Sequence, residues 1–251
     1  MEKQKIEPYR ETFKIRSYEV DTMAQATFAN VANYMQEVAG NHAYDLGLSV
    51  DTLIKENLTW IVSRIKIEMD RYPNWREKIV TETWPSGYSN LAATRDFLMF
   101  DLEENVIGKA TSLWMAIDLK TRRPAPIKPI VGHLVPPEEK PRAMEVGRIQ
   151  PDFEDIDNLG SAAIVVRKSD CDMNSHANNV RYIDWALESI PMEWEKKKKR
   201  CRTLDIQFKA EVFAGDQLLA QTISTREEKV MKHTLVRTSD SVEVCSVVTY
   251  W

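Results

Sequence analysis

A chain of 251 residues with 34 basic and 38 acidic side chains carries a net charge of −4, which excludes a general nucleic-acid binder, since that role needs a basic excess. Hydrophobic residues make up 43% of the chain, enough for one large core or two ordinary ones. The opening MEKQKIEPYRETFK is charged and lacks an apolar centre, no apolar run is long enough for a membrane span, and three cysteines show no CxxC spacing, so a cytoplasmic protein in a reducing compartment is expected.

Residues 13–20 alternate and read as a strand. A helix follows, with Phe28, Val31, Met35, Val38 and His42 on one face, Ala32 and Ala39 beside them, and Gly47 at a left-handed stop. His42, in the last turn of an apolar face, reads as structural. Residues 60–69 alternate next, placing Ile61, Ser63, Ile65, Ile67 and Met69 together. Strands are also expected over 78–84, 92–100 and 106–118; their tight connections imply antiparallel pairing. Seven prolines (124, 126, 129, 136, 137, 141 and 151) then concentrate in a stretch that cannot hold a regular sheet. The boundaries that follow are an N-terminal half over 1–120, a proline-rich linker over 121–160, and a C-terminal half over 161–251.

The second half repeats the first. A strand over 161–167 precedes a helix striped by Val180, Ile183, Leu187 and Ile190 and stopped by Pro191. After the basic run 196–200, strands are expected over 201–213, 218–225, 230–238 and 242–251. Residues 65–72 lie against 206–213 with Asp70 opposite Glu211, a pattern of duplication. A helix with one apolar face needs a sheet to cover it, and a curved antiparallel sheet around each helix is the compact solution.

Between strand and helix in the second half, Asp172, Asn174 and His176 stand at every second position. In an extended segment they share a face, where a carboxylate, an amide and an imidazole converge near the free amides of a helix start, a setting suited to an oxyanion. The alternative on these residues alone is that Asp172 and Asn174 are turn and cap residues and His176 a surface histidine. As a metal site the trio is poor, because neutral Asn is a weak ligand and no spaced His/Cys cluster supports it. Neither a metal nor a cofactor is expected.

The motif Asp172-Met173-Asn174-Ser175-His176-Ala177-Asn178-Asn179-Val180-Arg181-Tyr182-Ile183 resembles the catalytic signature of the plant and bacterial acyl-acyl-carrier-protein thioesterases. Ile15-Arg16-Ser17-Tyr18-Glu19, Asp70-Arg71-Tyr72-Pro73-Asn74-Trp75 and Leu119-Lys120-Thr121-Arg122-Arg123-Pro124 resemble that family in the same order. The resemblance implies an α+β chain of two tandem hotdog folds, each a long helix wrapped by an antiparallel β-sheet. It also implies hydrolysis of fatty acyl-acyl carrier protein to free fatty acid, with Asp172, Asn174, His176 and Glu211 as catalytic residues. Plant relatives follow the glutamate with a cysteine once proposed as nucleophile; here that position is Val212, so water attack is expected. Glu211, or Asp172, would activate the water, with His176 as acid/base partner and Asn174 positioning water or carbonyl. Asp172 instead orienting a neighbour is the remaining assignment. The first half has only the aspartate, in Asp21-Thr22-Met23-Ala24-Gln25-Ala26. It is expected to shape an acyl pocket, with Met35, Trp60, Ile61 and Val62 as candidate lining. The acidic carrier would dock on a basic patch of Arg122, Arg123 and Lys128 or on the 196–200 run. An acyl-CoA thioesterase and a non-catalytic acyl-binding module are the alternatives; monomer and homodimer both remain open.

Overall fold

The computed structural model describes residues 3–140, 142–145, 156–195, 200–225 and 229–251. The chain divides into two compact units, Met1–Val146 and Gly147–Trp251. Most of the basic run 196–200 and the acidic residues 153–155 lie outside the described residues.

Unit 1 contains β1 (Gln4–Lys5), β2 (Tyr9–Lys14), α1 (Phe28–Asp45), α2 (Val50–Lys55), β3 (Leu58–Met69), β4 (Lys78–Tyr88), β5 (Ala93–Phe100), β6 (Val106–Asp118), β7 (Pro124–Ala125), α3 (Lys128–Val131) and β8 (Leu134–Val135). Its antiparallel sheet runs in the order β2-β4-β5-β6-β3. Helix α1 starts where the Thr27 side chain accepts from the Asn30 amide and stops at Gly47, whose φ is 69°. Its apolar stripe of Phe28, Val31, Met35 and Val38 is buried against β4 and β2, which is the burial the periodicity predicts.

Two strands differ from their sequence pattern. β2 ends at Lys14, because Glu19 reaches back to accept from the Arg16 amide at 2.7 Å and winds residues 17–19 into a 3-10 turn. β3 carries a bulge between Val62 and Arg64. The extra residue shifts the alternation by one, so Val62 is buried while Ile61 turns outward, and the inward phase resumes at Ile67 and Met69.

The proline-rich stretch is partly built into unit 1. Its prolines cut β7 and β8 to two residues each, and Pro129 falls in the first turn of α3, where a missing N–H costs nothing. Ile127, Val131 and Leu134 nevertheless join Ile6 and Ala116 in a core cluster. Further on, Lys140 Nζ donates to Glu82 at 2.6 Å and the Ala143 amide donates to the buried Asp96 carboxylate at 3.0 Å.

Unit 2 contains β9 (Ile156–Val165), α4 (Asn179–Leu187), α5 (Met192–Glu195), β10 (Thr203–Phe208), β11 (Gln217–Thr225), β12 (Val230–Arg237) and β13 (Val242–Tyr250). Its antiparallel order, β9-β11-β12-β13-β10, repeats that of unit 1 element for element. Val180, Ile183 and Ala186 of α4 are buried against β11, β12 and β13. A buried polar line crosses this core: Ser189 Oγ meets Thr222 Oγ1 at 2.5 Å, Thr222 meets His233 Nδ1 at 2.7 Å, and His233 Nε2 meets Thr249 Oγ1 at 2.9 Å. Among the described residues no helix is long and apolar enough to cross a membrane.

Both core histidines set an acid limit on stability. Burial lowers the pKa of His233 to about 3, and burial with the nearby Arg95 charge lowers that of His42 to about 4, against an ordinary value of 6.5. The unfolded chain therefore binds more protons below pH 6.5, and stability falls as pH drops towards about 4 for His42 and about 3 for His233. Well inside that window each pH unit removes about 1.4 kcal/mol per histidine. Urea unfolding should show the midpoint falling steadily from pH 6.5 to pH 4; a flat midpoint would contradict neutral buried imidazoles.

Candidate active site

In unit 2 the approach to α4 is a closed loop. The Arg167 amide donates to Asp170 Oδ2 at 2.8 Å and starts a 3-10 turn. Cys171 then bridges Ala177, and the Asp172 amide donates to the His176 carbonyl at 2.9 Å. Inside the loop the Asn174 amide donates to Asp172 Oδ1 at 2.8 Å, and Ser175 takes a φ of 64°. The alternation of Asp172, Asn174 and His176 suggests one face of an extended segment. A tight turn forms instead, because a short carboxylate captures the amide two residues on and tolerates this geometry. Asn174 and Met173 stand at the exposed tip, Asp172 is half-buried, and His176 lies at the exit.

The loop is tied to the segment that follows β10 by the Ala177 amide, which donates to the Val212 carbonyl at 2.8 Å. Glu211 belongs to that segment, not to the strand itself. The Lys209 and Ala210 amides both reach the Val244 carbonyl, and this doubled contact turns the chain out of the ladder after Phe208. His176 Nδ1 thereby comes to 3.7 Å from Glu211 Oε1, with each side chain 36% exposed. That spacing exceeds a direct hydrogen bond and suits a water touching both groups.

Three neighbours brace this couple that the motif does not reveal. Phe213 sets its ring edge-on to His176, centroids 5.0 Å apart. Arg237 Nη1 donates to the Glu211 carbonyl at 3.0 Å while its other nitrogens hold Asp240 and its charge lies 3.6 Å from Asp216. Tyr182 Oη donates to the Ala210 carbonyl at 3.3 Å. Arg237 lies 26 residues beyond Glu211, so only the sheet's return path brings them together.

The helix start is less open than the sequence suggests. Asn178 Oδ1 accepts from the Val180 amide at 3.0 Å, and the Arg181 amide donates to the Asn178 carbonyl at 2.9 Å. This self-capping uses part of the donor set expected for an oxyanion. Cys201 and Cys245 are buried, with burial pushing the Cys201 thiol up to about 12 and the Cys245 thiol up as well. Cys171 is half-buried with Sγ 3.8 Å from the Arg167 carbonyl.

Unit 1 has the same scaffold without the same chemistry. Val20 bridges Ala26, the Asp21 amide donates to the Gln25 carbonyl at 2.9 Å, the Met23 amide donates to Asp21 Oδ1 at 2.8 Å, and Ala24 has a φ of 59°. The Ala26 amide donates to the Pro73 carbonyl, as Ala177 does to Val212. Asp70 and Arg71 both reach the Ile107 carbonyl, as Lys209 and Ala210 reach Val244. These bonds set the register between halves: Tyr72, not Asp70, is equivalent to Glu211. A two-residue slip keeps every side chain on its face, so alternation alone accepts the wrong match. The equivalents of Asp172, Asn174, His176 and Glu211 are therefore Asp21, Met23, Gln25 and Tyr72. The aspartate shared by both loops does the same structural work in each.

Comparison with known proteins agrees with this architecture. The pattern defining the acyl-ACP thioesterase N-terminal domain matches residues 7–133, and that of the C-terminal domain matches residues 145–251. Oleoyl-acyl carrier protein thioesterase 1, chloroplastic, of Arabidopsis thaliana is 33% identical over 87% of this chain and 64% of its own length. The palmitoyl-acyl carrier protein thioesterase, chloroplastic, of the same plant is 29% identical over 97% of this chain and 63% of its own length. The chain thus spans less than two-thirds of either. Among solved structures, an acyl-ACP thioesterase from Bacteroides thetaiotaomicron superposes with a TM-score of 0.78 at 29% identity over 97% of both chains. The 12:0-ACP thioesterase from Umbellularia californica gives 0.81 at 25% identity over 97% of this chain and 96% of its own. The two helix-on-sheet units are tandem hotdog folds. The chain belongs to the acyl-ACP thioesterase family.

Proposed function

We propose that this protein hydrolyses the thioester of fatty acyl-acyl carrier protein in the cytoplasm and releases free fatty acid. The observation that carries the reading is the His176–Glu211 couple at 3.7 Å, both groups partly open to solvent, formed by a loop and an adjoining segment whose counterparts in unit 1 have Gln25 and Tyr72 instead. Glu211 takes a proton from water as the water oxygen bonds to the thioester carbon. The carbon–sulfur bond then breaks, and the proton passes to the carrier's thiolate through His176. Asn174, at the loop tip, hydrogen-bonds the carbonyl oxygen or the water. Asp172 is a positioning residue, because its Oδ1 accepts the Asn174 amide and shapes the loop just as Asp21 Oδ1 accepts the Met23 amide in the unit that lacks the rest of the trio. Unit 1 shapes the acyl pocket, with Met35, Trp60 and Val62 as candidate lining. Comparing hydrolysis of matched acyl carrier protein and acyl-CoA thioesters tests the reading: a clear preference for the carrier-bound form supports it, and equal rates favour the acyl-CoA alternative.

Cysteine takes no part in this chemistry. Two thiols are buried with raised pKa values, and position 212 is a buried valine. A triple variant with Cys171, Cys201 and Cys245 replaced by alanine should therefore keep most of the wild-type rate. A trapped acyl-cysteine in the wild type would defeat water attack.

The carrier is acidic, so its dock is basic although the chain is net acidic. Arg122, Arg123 and Lys128 are exposed on unit 1 and form the proposed patch. Attraction between solvated charges acts on encounter and weakens with salt. Raising ionic strength should raise KM for acyl carrier protein substrates more than for a short neutral thioester, and reversing Arg122 and Arg123 to glutamate should do the same. Equal responses from both substrates would remove the patch from the account.

A further inference from the structure

Unit 1 holds a half-buried positive charge, on Arg95, that no carboxylate among the described residues balances. Arg95 on β5 donates through Nη1 to His42 Nδ1 at 3.1 Å and to Thr83 Oγ1 at 3.3 Å. His42 lies on the buried face of α1, with the Tyr9 ring stacked on it at 5.6 Å and 17°. Accepting from a guanidinium requires a neutral imidazole with its proton on Nε2, in keeping with the lowered His42 pKa of about 4. The cluster therefore carries a net charge of one from Arg95. Among the described residues no carboxylate pairs with it, and its only side-chain partners are His42 and Thr83. Burial pulls the guanidinium pKa down to about 10.

A partly desolvated charge without a counter-ion is costly, and proteins keep one where something else balances it. Both side-chain bonds use one terminal nitrogen. Nε and Nη2 meet no protein acceptor among the described residues, yet they are not sealed from solvent, and Arg95 is half-buried. The side-on Nε–Nη2 edge is the fork that matches the two oxygens of a carboxylate. We infer that unit 1 carries a carboxylate-binding subsite on Arg95, with His42 and Thr83 holding the guanidinium and its free edge offered to an aliphatic acid. The proposed hydrolysis bears only on where that acid comes from: the released fatty acid, or a second carboxyl group at the far end of an acyl chain.

Titration of the full-length protein with sodium octanoate and with 1-octanol is the test. Octanoate should bind wild type more tightly than octanol does, a comparison that needs no variant. Arg95→Gln should weaken octanoate about 10- to 100-fold, the range expected for hydrogen bonds to a charged group, and leave octanol unchanged. Equal binding of octanoate and octanol to wild type overturns the subsite, as does equal octanoate affinity in wild type and folded Arg95→Gln. Octanoate inhibition of thioester hydrolysis that disappears in Arg95→Gln identifies the released acid as the ligand. Faster turnover of a distal-carboxyl acyl thioester than of its methyl-ended match, again lost in Arg95→Gln, identifies the substrate. A protein that binds octanoate through Arg95 and hydrolyses no thioester overturns the proposed function while upholding the subsite.

Discussion

Glu211→Gln should lower kcat for acyl carrier protein thioesters by about 100- to 10,000-fold, the usual contribution of a positioned general base. The amide keeps the shape of the carboxylate but cannot take the water proton. KM should change little, because the base acts on the transition state and not on ground-state binding. Stability should also hold. Glu211 is 36% exposed, its imidazole partner is 3.7 Å away, and Arg237 grips its backbone carbonyl, which the substitution leaves in place. Steady-state kinetics with a thermal melt on the same preparation checks both halves. Near-normal turnover in a folded variant would remove Glu211 from the mechanism and move the base to Asp172.

His176→Gln should be the second large loss, about 100-fold or more in kcat. Glutamine is what unit 1 has at the equivalent Gln25, inside a loop with the same Asp21 cap and the same left-handed residue. The loop therefore accepts a glutamine without rearrangement, and the variant should melt within a few degrees of wild type. Its defect should be chemical, because the imidazole proposed to pass the proton to the leaving thiolate is gone. Asp172→Asn offers the contrast. Asparagine still accepts from the Asn174 amide, so this change should cost far less than either of the others; rates are measured on the same substrate. A deeper loss for Asp172→Asn than for Glu211→Gln would exchange their roles.

Much of this was legible in the chain, for physical reasons that differ by element. The α1 stripe is a local property of 3.6 residues per turn, and Phe28, Val31, Met35 and Val38 are buried as it requires. The strand order repeats because each half carries the same succession of alternating segments and turns. Local pattern failed where a single bond or one extra residue decided the geometry. The bulge beside Ser63 exchanges Ile61 for Val62 as the buried neighbour. Glu19 ends β2 early by bonding backward to the Arg16 amide. Asp172 curls the motif into a loop, the turn reading of the trio and not its one-face extended reading. The register between the halves depends on paired amides reaching one carbonyl, Ile107 in unit 1 and Val244 in unit 2, and no residue type marks it. The motif contains His176 and the family resemblance pointed to Glu211, but Phe213, Tyr182 and Arg237 emerge beside them only when the sheet brings distant residues together. Arg95 was invisible for the opposite reason: an arginine on an alternating strand looks solvated until the helix above it is placed.

Whether His176 and Glu211 of unit 2 hydrolyse a thioester is read directly from a time course of free fatty acid released from octanoyl-acyl carrier protein. Wild type at catalytic concentration should release many equivalents of octanoic acid per protein, while a folded His176→Gln, Glu211→Gln double variant releases almost none. On the proposed mechanism the two groups act on one water, so the double variant should be scarcely slower than the worse single one. Intact thioester after prolonged incubation with wild type, or release by the double variant at the wild-type rate, would contradict the account.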